Sequence, residues 1–191
     1  MDTEIKQSIE VLKSGGIVIF PTDTAFGIGC RMDYENSVAK LFDLRRRSLE
    51  KAVPVLADSI EIVKKYVSDF PPDAEDLAKK YWPGALTIVL KANISVPSLV
   101  CGGGDTVGFR VPSNETIKAI ISGVGVPILG PSANFAGEKT PFEFEDLDKE
   151  LIKLVDFVMP GECTIKKPST VIDCSQQPFR ILREGALDII L

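Results

Sequence analysis

Hydrophobic residues recur along much of the chain with the period of an α-helix. Ile5, Ile9 and Leu12 lie on one helical face, and Gly15-Gly16 is a natural stop after them. Similar spacing predicts four further helices over residues 35–46, 58–66, 73–81 and from 113 onward. The chain therefore carries helical segments from its first residues into its second half.

Capping signals mark the starts of three predicted helices. Asp58 with Glu61 forms a D-x-x-E start, and Ser113 precedes a segment with apolar residues at helical spacing. Residues 140–143, Thr-Pro-Phe-Glu, match a capping box with proline at the first helical position. This pattern predicts that Thr140 caps one more helix.

Short apolar runs bounded by turn residues predict strands between these helices. The predicted strands are residues 17–20, 53–56, 86–91, 106–111, 127–129, 155–159, 170–173 and 179–182. Helices and strands interleave without a long linker or an internal repeat. We therefore expect residues 1–191 to form a single α/β domain, with a twisted, mostly mixed sheet and flanking helices.

The composition favours a small-molecule partner. The 191 residues include 27 acidic and 22 basic side chains, which give a formal net charge of −5. A protein that grips duplex nucleic acid usually presents a broad basic face, because phosphate contacts supply most of the affinity. One local basic patch remains compatible with this charge.

Several features of the sequence predict a cytoplasmic protein. No stretch approaches the roughly 18 apolar residues that span a bilayer. The first six residues lack the basic-then-apolar layout of a signal peptide. The four cysteines show no CxxC spacing, so we expect free thiols in a reducing compartment.

The sequence contains no histidine. This excludes a Ser-His-Asp or Cys-His nucleophile, a histidine-ligated zinc site and proton transfer by imidazole. Any chemistry must therefore rest on positioning, cations, hydroxyls and carboxylates.

Two polar segments follow directly on predicted strands. Pro21-Thr22-Asp23-Thr24 comes after the strand at 17–20, and residues 130–134, Gly-Pro-Ser-Ala-Asn, come after the strand at 127–129. Strand ends are where open α/β sheets build ligand sites. Each segment also has the composition of an ordinary turn, so the residues alone leave both interpretations open.

The densest positive charge lies between these segments, at residues 45–47, Arg-Arg-Arg, and at Lys51. The cluster is consistent with a solvated helix end that complements the helix dipole, or with a polyphosphate site. Arg110 and Arg183 each interrupt an apolar strand, which is costly for a charge unless it faces a cleft or a partner. Those two arginines are the strongest functional candidates on physical grounds.

Together, the order and spacing of these segments resemble the YrdC-type threonylcarbamoyl-AMP synthases. The resemblance runs from about Lys13 to the end of the sequence. Eight segments match in the same order: residues 15–24, 26–29, 45–51, 82–87, 106–110, 130–134, 169–173 and 183–185.

The resemblance implies a nucleotidyltransferase that combines L-threonine, bicarbonate and ATP into threonylcarbamoyl-AMP and releases diphosphate. It implies a YrdC-like fold with a concave basic cleft, Mg²⁺ that arrives with ATP, and no protein-bound metal. Downstream threonylcarbamoyl-transferase proteins then modify an adenosine in certain tRNAs. A weak contact with tRNA is compatible with this role, and no membrane association is expected.

The resemblance also assigns roles to the residues at matching positions. The expected threonine contacts are Thr24, Arg110, Gly130 and Ser169. The expected ATP contacts are Arg47, Lys51, Thr106, Ser132, Thr140 and Arg183. The expected catalytic residues are Arg45 and Arg47 of a Lys-x-Arg motif and Ser132 and Asn134 of a Ser-x-Asn motif.

Arg45 departs from the family pattern, which has lysine there. The change replaces a compact, mobile ammonium with a planar guanidinium fork. It keeps a second interpretation open, a non-catalytic nucleotide- or RNA-binding protein with a YrdC-like fold. A third interpretation is an enzyme that forms a carbamoyl adenylate from carbamoyl phosphate.

Overall fold

A computed structural model describes residues 2–191 and confirms the predicted mixed α/β fold. Its helices are α1 Asp2–Lys13, α2 Glu35–Leu44, α3 Ile60–Val63, α4 Pro72–Tyr81, α5 Glu115–Val124 and α6 Lys149–Leu154. Its strands are β1 Val18–Phe20, β2 Gly27–Gly29, β3 Val55–Leu56, β4 Leu86–Lys91, β5 Thr106–Arg110, β6 Ile128–Leu129, β7 Phe157–Val158, β8 Thr170–Asp173 and β9 Arg180–Arg183.

The strands form two mixed sheets, where the sequence predicted one. The smaller sheet has the order β2-β1-β7, and the larger has the order β6-β3-β5-β4-β8-β9. Isolated bridges between Gly27 and Ser132 and between Arg31 and Ile128 connect the two sheets. These bridges bring the end of β1 and the end of β6 to the same place in the fold.

The core follows from the hydrophobic pattern of the sequence. Continuous apolar strands such as β1 and β4 are buried along most of their length, as expected for strands covered on both faces. The apolar face of α1 packs against α5, where Gly123 leaves room for the side chain of Ile9. The larger cluster of buried residues fills the space around β4 and β5.

All four cysteines are buried free thiols, as predicted. Burial raises the pKa of Cys30 and of Cys174 to about 12. Thiols with such high pKa values stay protonated at neutral pH and are poor nucleophiles.

Two predicted helix caps are displaced by one residue. Ser59, and not Asp58, caps α3, because its hydroxyl accepts from the Ile62 amide. Asn114, and not Ser113, caps α5, because Asn114 Oδ1 accepts from the amide of Ile117 at 3.1 Å. In both pairs the neighbouring side chain also has capping chemistry, so composition alone does not choose between them.

The predicted helix cap at Thr140 is wrong. Residues 140–143 are not helical, and the Phe26 amide donates to the carbonyl of Pro141 at 3.0 Å. The capping box lies further along the chain, where Glu143 and Asp146 bond each other's backbone amides around a 3₁₀ helix, Phe144–Asp146. Thr140 is thereby free for a role outside secondary structure.

The sequence did not predict strand β2, because two of its three residues are glycine, which strands disfavour. Its backbone pairs antiparallel with β1, with Ile28 opposite Ile19. The carbonyl of Leu129 lies so close to Gly29 that a Cβ atom there would collide with it. Close approach of two backbones explains why this strand needs glycine.

Candidate active site

A polar cavity of about 90 Å³ lies where several strands end. The turn after β1, the last residue of β5, the segment after β6 and the residues flanking β8 and β9 all contribute to its wall. Seven of the predicted site residues line it: Thr24, Arg110, Gly130, Ser132, Thr140, Ser169 and Arg183. The structure thus brings together both polar segments and both strand arginines.

The cavity is small. Its volume of about 90 Å³ is about three times the roughly 30 Å³ that one water occupies in the liquid, and a nucleoside triphosphate is far larger. A bound nucleotide would therefore extend beyond this cavity.

Arg110 is held rigidly at the wall of the cavity. It is 6% exposed, and its Nε donates to the carbonyl of Gly84 at 2.9 Å. Its two terminal nitrogens donate to Thr24 Oγ1 and to the carboxylate of Asp23. Burial lowers the pKa of Arg110, and Asp23 opposes this shift. An arginine has five N–H donors, so two remain for a ligand.

Asp23 is the buried counter-ion of this arginine. It is 2% exposed and does not line the cavity, although the residues on both sides of it do. One carboxylate oxygen bonds Arg110, and the other is buried with no hydrogen-bond partner among residues 2–191. A buried carboxylate is tolerated when it is paired, so Asp23 depends on Arg110.

Arg183 and Ser169 form another part of the wall. Arg183 Nε donates to the carbonyl of Ser169, and its NH2 group donates to Ser169 Oγ, both at 3.0 Å. Ser169 Oγ in turn lies 2.8 Å from Thr87 Oγ1. Burial lowers the pKa of Arg183, and no carboxylate within residues 2–191 forms a salt bridge with it. This guanidinium is therefore suited to an anionic ligand.

The rest of the wall contains both apolar groups and hydroxyls, and it includes residues that the sequence did not predict. Gly130 packs against Leu56 so closely that a Cβ atom on the glycine would collide with the leucine side chain. Pro54, Phe26 and Pro168 also line the cavity. The hydroxyls of Thr22 and Thr87 also line it; both residues lie within segments that carry the family resemblance, but no role was predicted for them.

The other five predicted site residues do not line this cavity. They are Arg45, Arg47, Lys51, Thr106 and Asn134. Thr106 begins β5 and Arg110 ends it, so their Cα atoms are about 13 Å apart at the usual strand rise. The roles expected for all twelve residues stay predictions.

The four basic side chains at positions 45, 46, 47 and 51 differ in burial and in their contacts. Arg45 is buried, Arg46 stacks on the ring of Phe135 at 4.2 Å, and Arg47 is half-buried. The NH2 group of Arg47 donates to the carbonyl of Ala52 at 2.9 Å. Lys51 is exposed. Only part of the cluster is thus available to one ligand.

Arg45 and Asn134 organise the turn that follows Ser132. Arg45 Nε donates to the backbone carbonyl of Asn134 at 3.1 Å, and the Ala136 amide donates to the carbonyl of Arg45. The side-chain amide of Asn134 donates to the carbonyls of Phe135 and Glu138. Asn134 therefore folds back onto its own turn.

Arg45 carries a buried charge without a counter-ion. It is 3% exposed, no carboxylate in the described part of the chain pairs with it, and its NH1 group has no hydrogen-bond partner there. Burial, and to a smaller extent the charge of Arg47, lowers the pKa of Arg45 to about 10. That shift corresponds to a penalty of about 3 kcal/mol for the charged form. Because the unfolded-state pKa is higher, the full penalty applies below pH 10.

We therefore expect Arg45→Met to raise the free energy of unfolding of the ligand-free protein by about 1–2 kcal/mol. The gain is smaller than the charge penalty because the bond to Asn134 is lost as well. Urea unfolding checks this prediction, with Arg45→Lys as the control that keeps a charge and should show no gain. A less stable Arg45→Met protein would show that the charge is well compensated.

Thr140→Ala should change the free energy of unfolding by less than about 0.5 kcal/mol, because Thr140 caps no helix. Asp148→Ala is the matched control, since Asp148 Oδ1 accepts from two backbone amides at the start of α6. Its removal should cost about 1 kcal/mol. Equal losses in urea unfolding would mean that Thr140 has a structural role.

Two features are absent from residues 2–191. No group of three or more cysteine or acidic side chains is arranged to hold a metal ion. No helix in this range combines the length and the apolar character needed to cross a bilayer.

The chain matches a protein-family model over residues 10–185. The model covers Sua5, YciO and YrdC proteins and carries the description "Telomere recombination". The match includes every predicted site residue.

Individual relatives are similar over almost the whole chain. The threonylcarbamoyl-AMP synthase of Pyrococcus abyssi is 33% identical over 97% of this chain, which spans 55% of that protein. The structure of P. abyssi Sua5 complexed with L-threonine superposes with a TM-score of 0.90 at 32% identity, over 97% of this chain and 55% of that one. Escherichia coli YciO, whose name states no activity, is 30% identical over 97% of this chain and 90% of its own length.

Proposed function

The chain belongs to the family of Sua5, YciO and YrdC proteins, and from this premise we propose that it is a threonylcarbamoyl-AMP synthase. As a nucleotidyltransferase it would join L-threonine, bicarbonate and ATP and release diphosphate. The similarity to the P. abyssi synthase supports this proposal. This chain spans about half the length of that relative. The activity of the longer protein is therefore a proposal for this chain.

One observation carries the proposal: a small cavity is lined by two guanidinium groups and by hydroxyls. Arg110 and Arg183 approach it from different strands, and Thr24 and Ser169 lie beside them. Arginine binds carboxylates through paired N–H donors. A hydroxy amino acid has a carboxylate, an amine and a hydroxyl that fit such a wall.

Each predicted residue has a place in the proposed reaction. Thr24, Arg110, Gly130 and Ser169 would hold threonine in the cavity. Arg47, Lys51, Thr106, Ser132, Thr140 and Arg183 would contact ATP. Arg45, Arg47, Ser132 and Asn134 would act at the reacting phosphate. Ser132 and Thr140 line the cavity, so a nucleotide held by them would lie beside the threonine.

The proposed chemistry needs no imidazole. The amine of threonine attacks the carbon of bicarbonate and water leaves, which gives a carbamate. A carbamate oxygen then attacks the α-phosphorus of ATP and diphosphate leaves. Both steps bring negative charges together, so catalysis would come from positioning and from cations that offset the developing charge.

Mg²⁺ would enter this reaction bound to ATP. The cavity wall contains hydroxyls, apolar groups and two arginines, and no carboxylate of residues 2–191 lines it. Such a wall does not fit a divalent cation held by the protein, because Mg²⁺ prefers oxygen ligands with negative charge. The triphosphate supplies those ligands.

Three wider expectations belong to the same proposal. We infer that residues 1–191 form one domain, since bridges join its two sheets. We infer a cytoplasmic location, which the four free thiols support. The product would be used by downstream threonylcarbamoyl-transferase proteins to modify tRNA, with at most a weak direct contact between this chain and tRNA.

Diphosphate release tests the proposed reaction. The protein with L-threonine, bicarbonate and Mg-ATP should release diphosphate, and omission of any one substrate should stop the release. ATP cleavage without threonine would contradict the proposal. Binding of ATP without turnover would favour a non-catalytic nucleotide-binding protein, and a requirement for carbamoyl phosphate would favour a carbamoyl-adenylate enzyme.

A further inference from the structure

Four residues form one row across the larger sheet. Thr87 of β4 lies opposite Val171 of β8, and Val171 lies opposite Arg183 of β9. On the other side of β4, the antiparallel register with β5 extends to place Arg110 opposite Thr87. Thr87 therefore lies on a central strand between the two arginines that line the cavity.

Thr87 is connected to Arg183 through one intermediate, Ser169. Thr87 Oγ1 and Ser169 Oγ are 2.8 Å apart, and the NH2 group of Arg183 donates to the same Ser169 oxygen at 3.0 Å. Arg183 Nε also donates to the carbonyl of Ser169 at 3.0 Å. Two hydrogen bonds thus hold the Ser169 hydroxyl, and Thr87 makes one of them.

The side chain of Thr87 has little freedom to turn away from Ser169. Thr87 is 4% exposed, and its methyl group packs over Gly108 of β5, where a Cβ atom would come within 3.2 Å of it. The methyl and the hydroxyl of threonine share one χ1 angle. A methyl group that fills the space over Gly108 therefore also fixes the direction of the hydroxyl.

Arg183 needs such a restraint because a second guanidinium lies close to it. Burial is the main cause of the lowered pKa of Arg110, and the charge of Arg183 lowers that pKa further. Asp23 pairs with Arg110, whereas no carboxylate within residues 2–191 forms a salt bridge with Arg183. Arg183 lies on an exposed edge strand, so without its bonds to Ser169 its guanidinium would turn toward solvent.

We propose that Thr87 is a positioning residue that holds Ser169, and through it the guanidinium of Arg183, in the wall of the cavity. The effect of Thr87 is best measured on L-threonine, which is the ligand expected at Ser169. This inference rests on the proposed function, because it takes the ligand beside Ser169 to be L-threonine.

A double-mutant cycle between Thr87 and Ser169 tests this role. We expect Thr87→Val to weaken L-threonine binding roughly tenfold in calorimetric titration, as for the loss of one hydrogen bond. Ser169→Ala already lacks the oxygen that Thr87 holds, so adding Thr87→Val to it should change the affinity by less than about twofold. Equal losses in both backgrounds, or no loss from Thr87→Val alone, would contradict the role.

Thr87→Ser is the conservative control, because it keeps the hydroxyl. Its affinity for L-threonine should stay within about threefold of the wild-type value. In the Thr87→Val variant, the KM for L-threonine should rise while kcat at saturating substrates stays within about threefold, as for an interaction that supports binding. If Thr87→Ser loses as much affinity as Thr87→Val, the hydroxyl is not responsible and the role is wrong, even where Ser169→Ala binds too weakly to titrate.

Ser37→Ala controls for a general loss of stability. It removes another buried hydroxyl, which donates to the carbonyl of Gly15 at 2.7 Å and does not line the cavity. It should lower stability in urea unfolding without changing the affinity for L-threonine. Should Thr87→Val fail to fold, Thr87→Ala takes its place with the same expected loss and the same contradicting results.

The failure of this inference differs from the failure of the proposed function. If the wild-type protein does not bind L-threonine, both fall together. If the wild-type protein binds L-threonine and releases diphosphate, but Thr87→Val has the same effect with and without the Ser169 hydroxyl, only the role of Thr87 is wrong.

Discussion

Arg110→Met is expected to lower the free energy of unfolding by about 3–5 kcal/mol and to abolish binding of L-threonine. The stability loss follows because Asp23, which is 2% exposed, would keep a buried charge without its partner. The binding loss follows because Arg110 lines the cavity and keeps two N–H donors that no group within residues 2–191 accepts. Urea unfolding and calorimetric titration measure the two effects separately.

The double variant Asp23→Asn/Arg110→Met distinguishes the effect on stability from the effect on L-threonine binding. Removing both charges should recover most of the lost stability, since a buried ion pair can be replaced by neutral groups of similar size at little cost. It should not restore binding of L-threonine. A double variant as unstable as the single one, or a single variant that still binds L-threonine, would contradict the role given to this pair.

Arg47→Ala should lower turnover by a factor of about 10²–10³ with less than about 1 kcal/mol of change in the free energy of unfolding. The small stability effect is expected because Arg47 is only half-buried and its bonds go to loop carbonyls of Lys51 and Ala52. Diphosphate release at saturating substrates and urea unfolding are the two measurements.

Arg46→Ala is the matched control for that variant. It removes the same charge from the neighbouring position, where the guanidinium stacks on Phe135. We expect turnover within about threefold of the wild-type value and a stability loss of about 0.5–1 kcal/mol from the lost cation–π contact. If both alanine variants lose turnover equally, total charge matters and the position of Arg47 does not.

The fold was predictable where one local rule dominates. The continuous apolar run of β4 and the amphipathic period of α1 depend only on neighbouring residues, and both predictions are confirmed. Strand β2 was missed because Gly29 is required by the approach of Leu129, about 100 residues further along the chain. The cap at Thr140 was wrong because tertiary bonding of Pro141 overrides the local capping signal.

The site was predictable only in part, for a related reason. Arg110 was a good candidate because a charge within an apolar strand needs a compensating environment. Its partner Asp23 lies 87 residues away, and no local pattern connects them. Thr22 and Thr87 also line the cavity, although threonine is ordinary in a turn and in a strand and no local pattern marks these two.

Transfer of label from [¹⁴C]bicarbonate into a nucleotide product tests the central proposal most directly. With L-threonine and Mg-ATP, the protein should form a labelled adenylate whose amount equals the diphosphate released. The Arg110→Met variant, tested beside it at a temperature where it is folded, should form none. Diphosphate release without labelled product, or labelled adenylate formed in the absence of L-threonine, would contradict the proposed threonylcarbamoyl-AMP synthase.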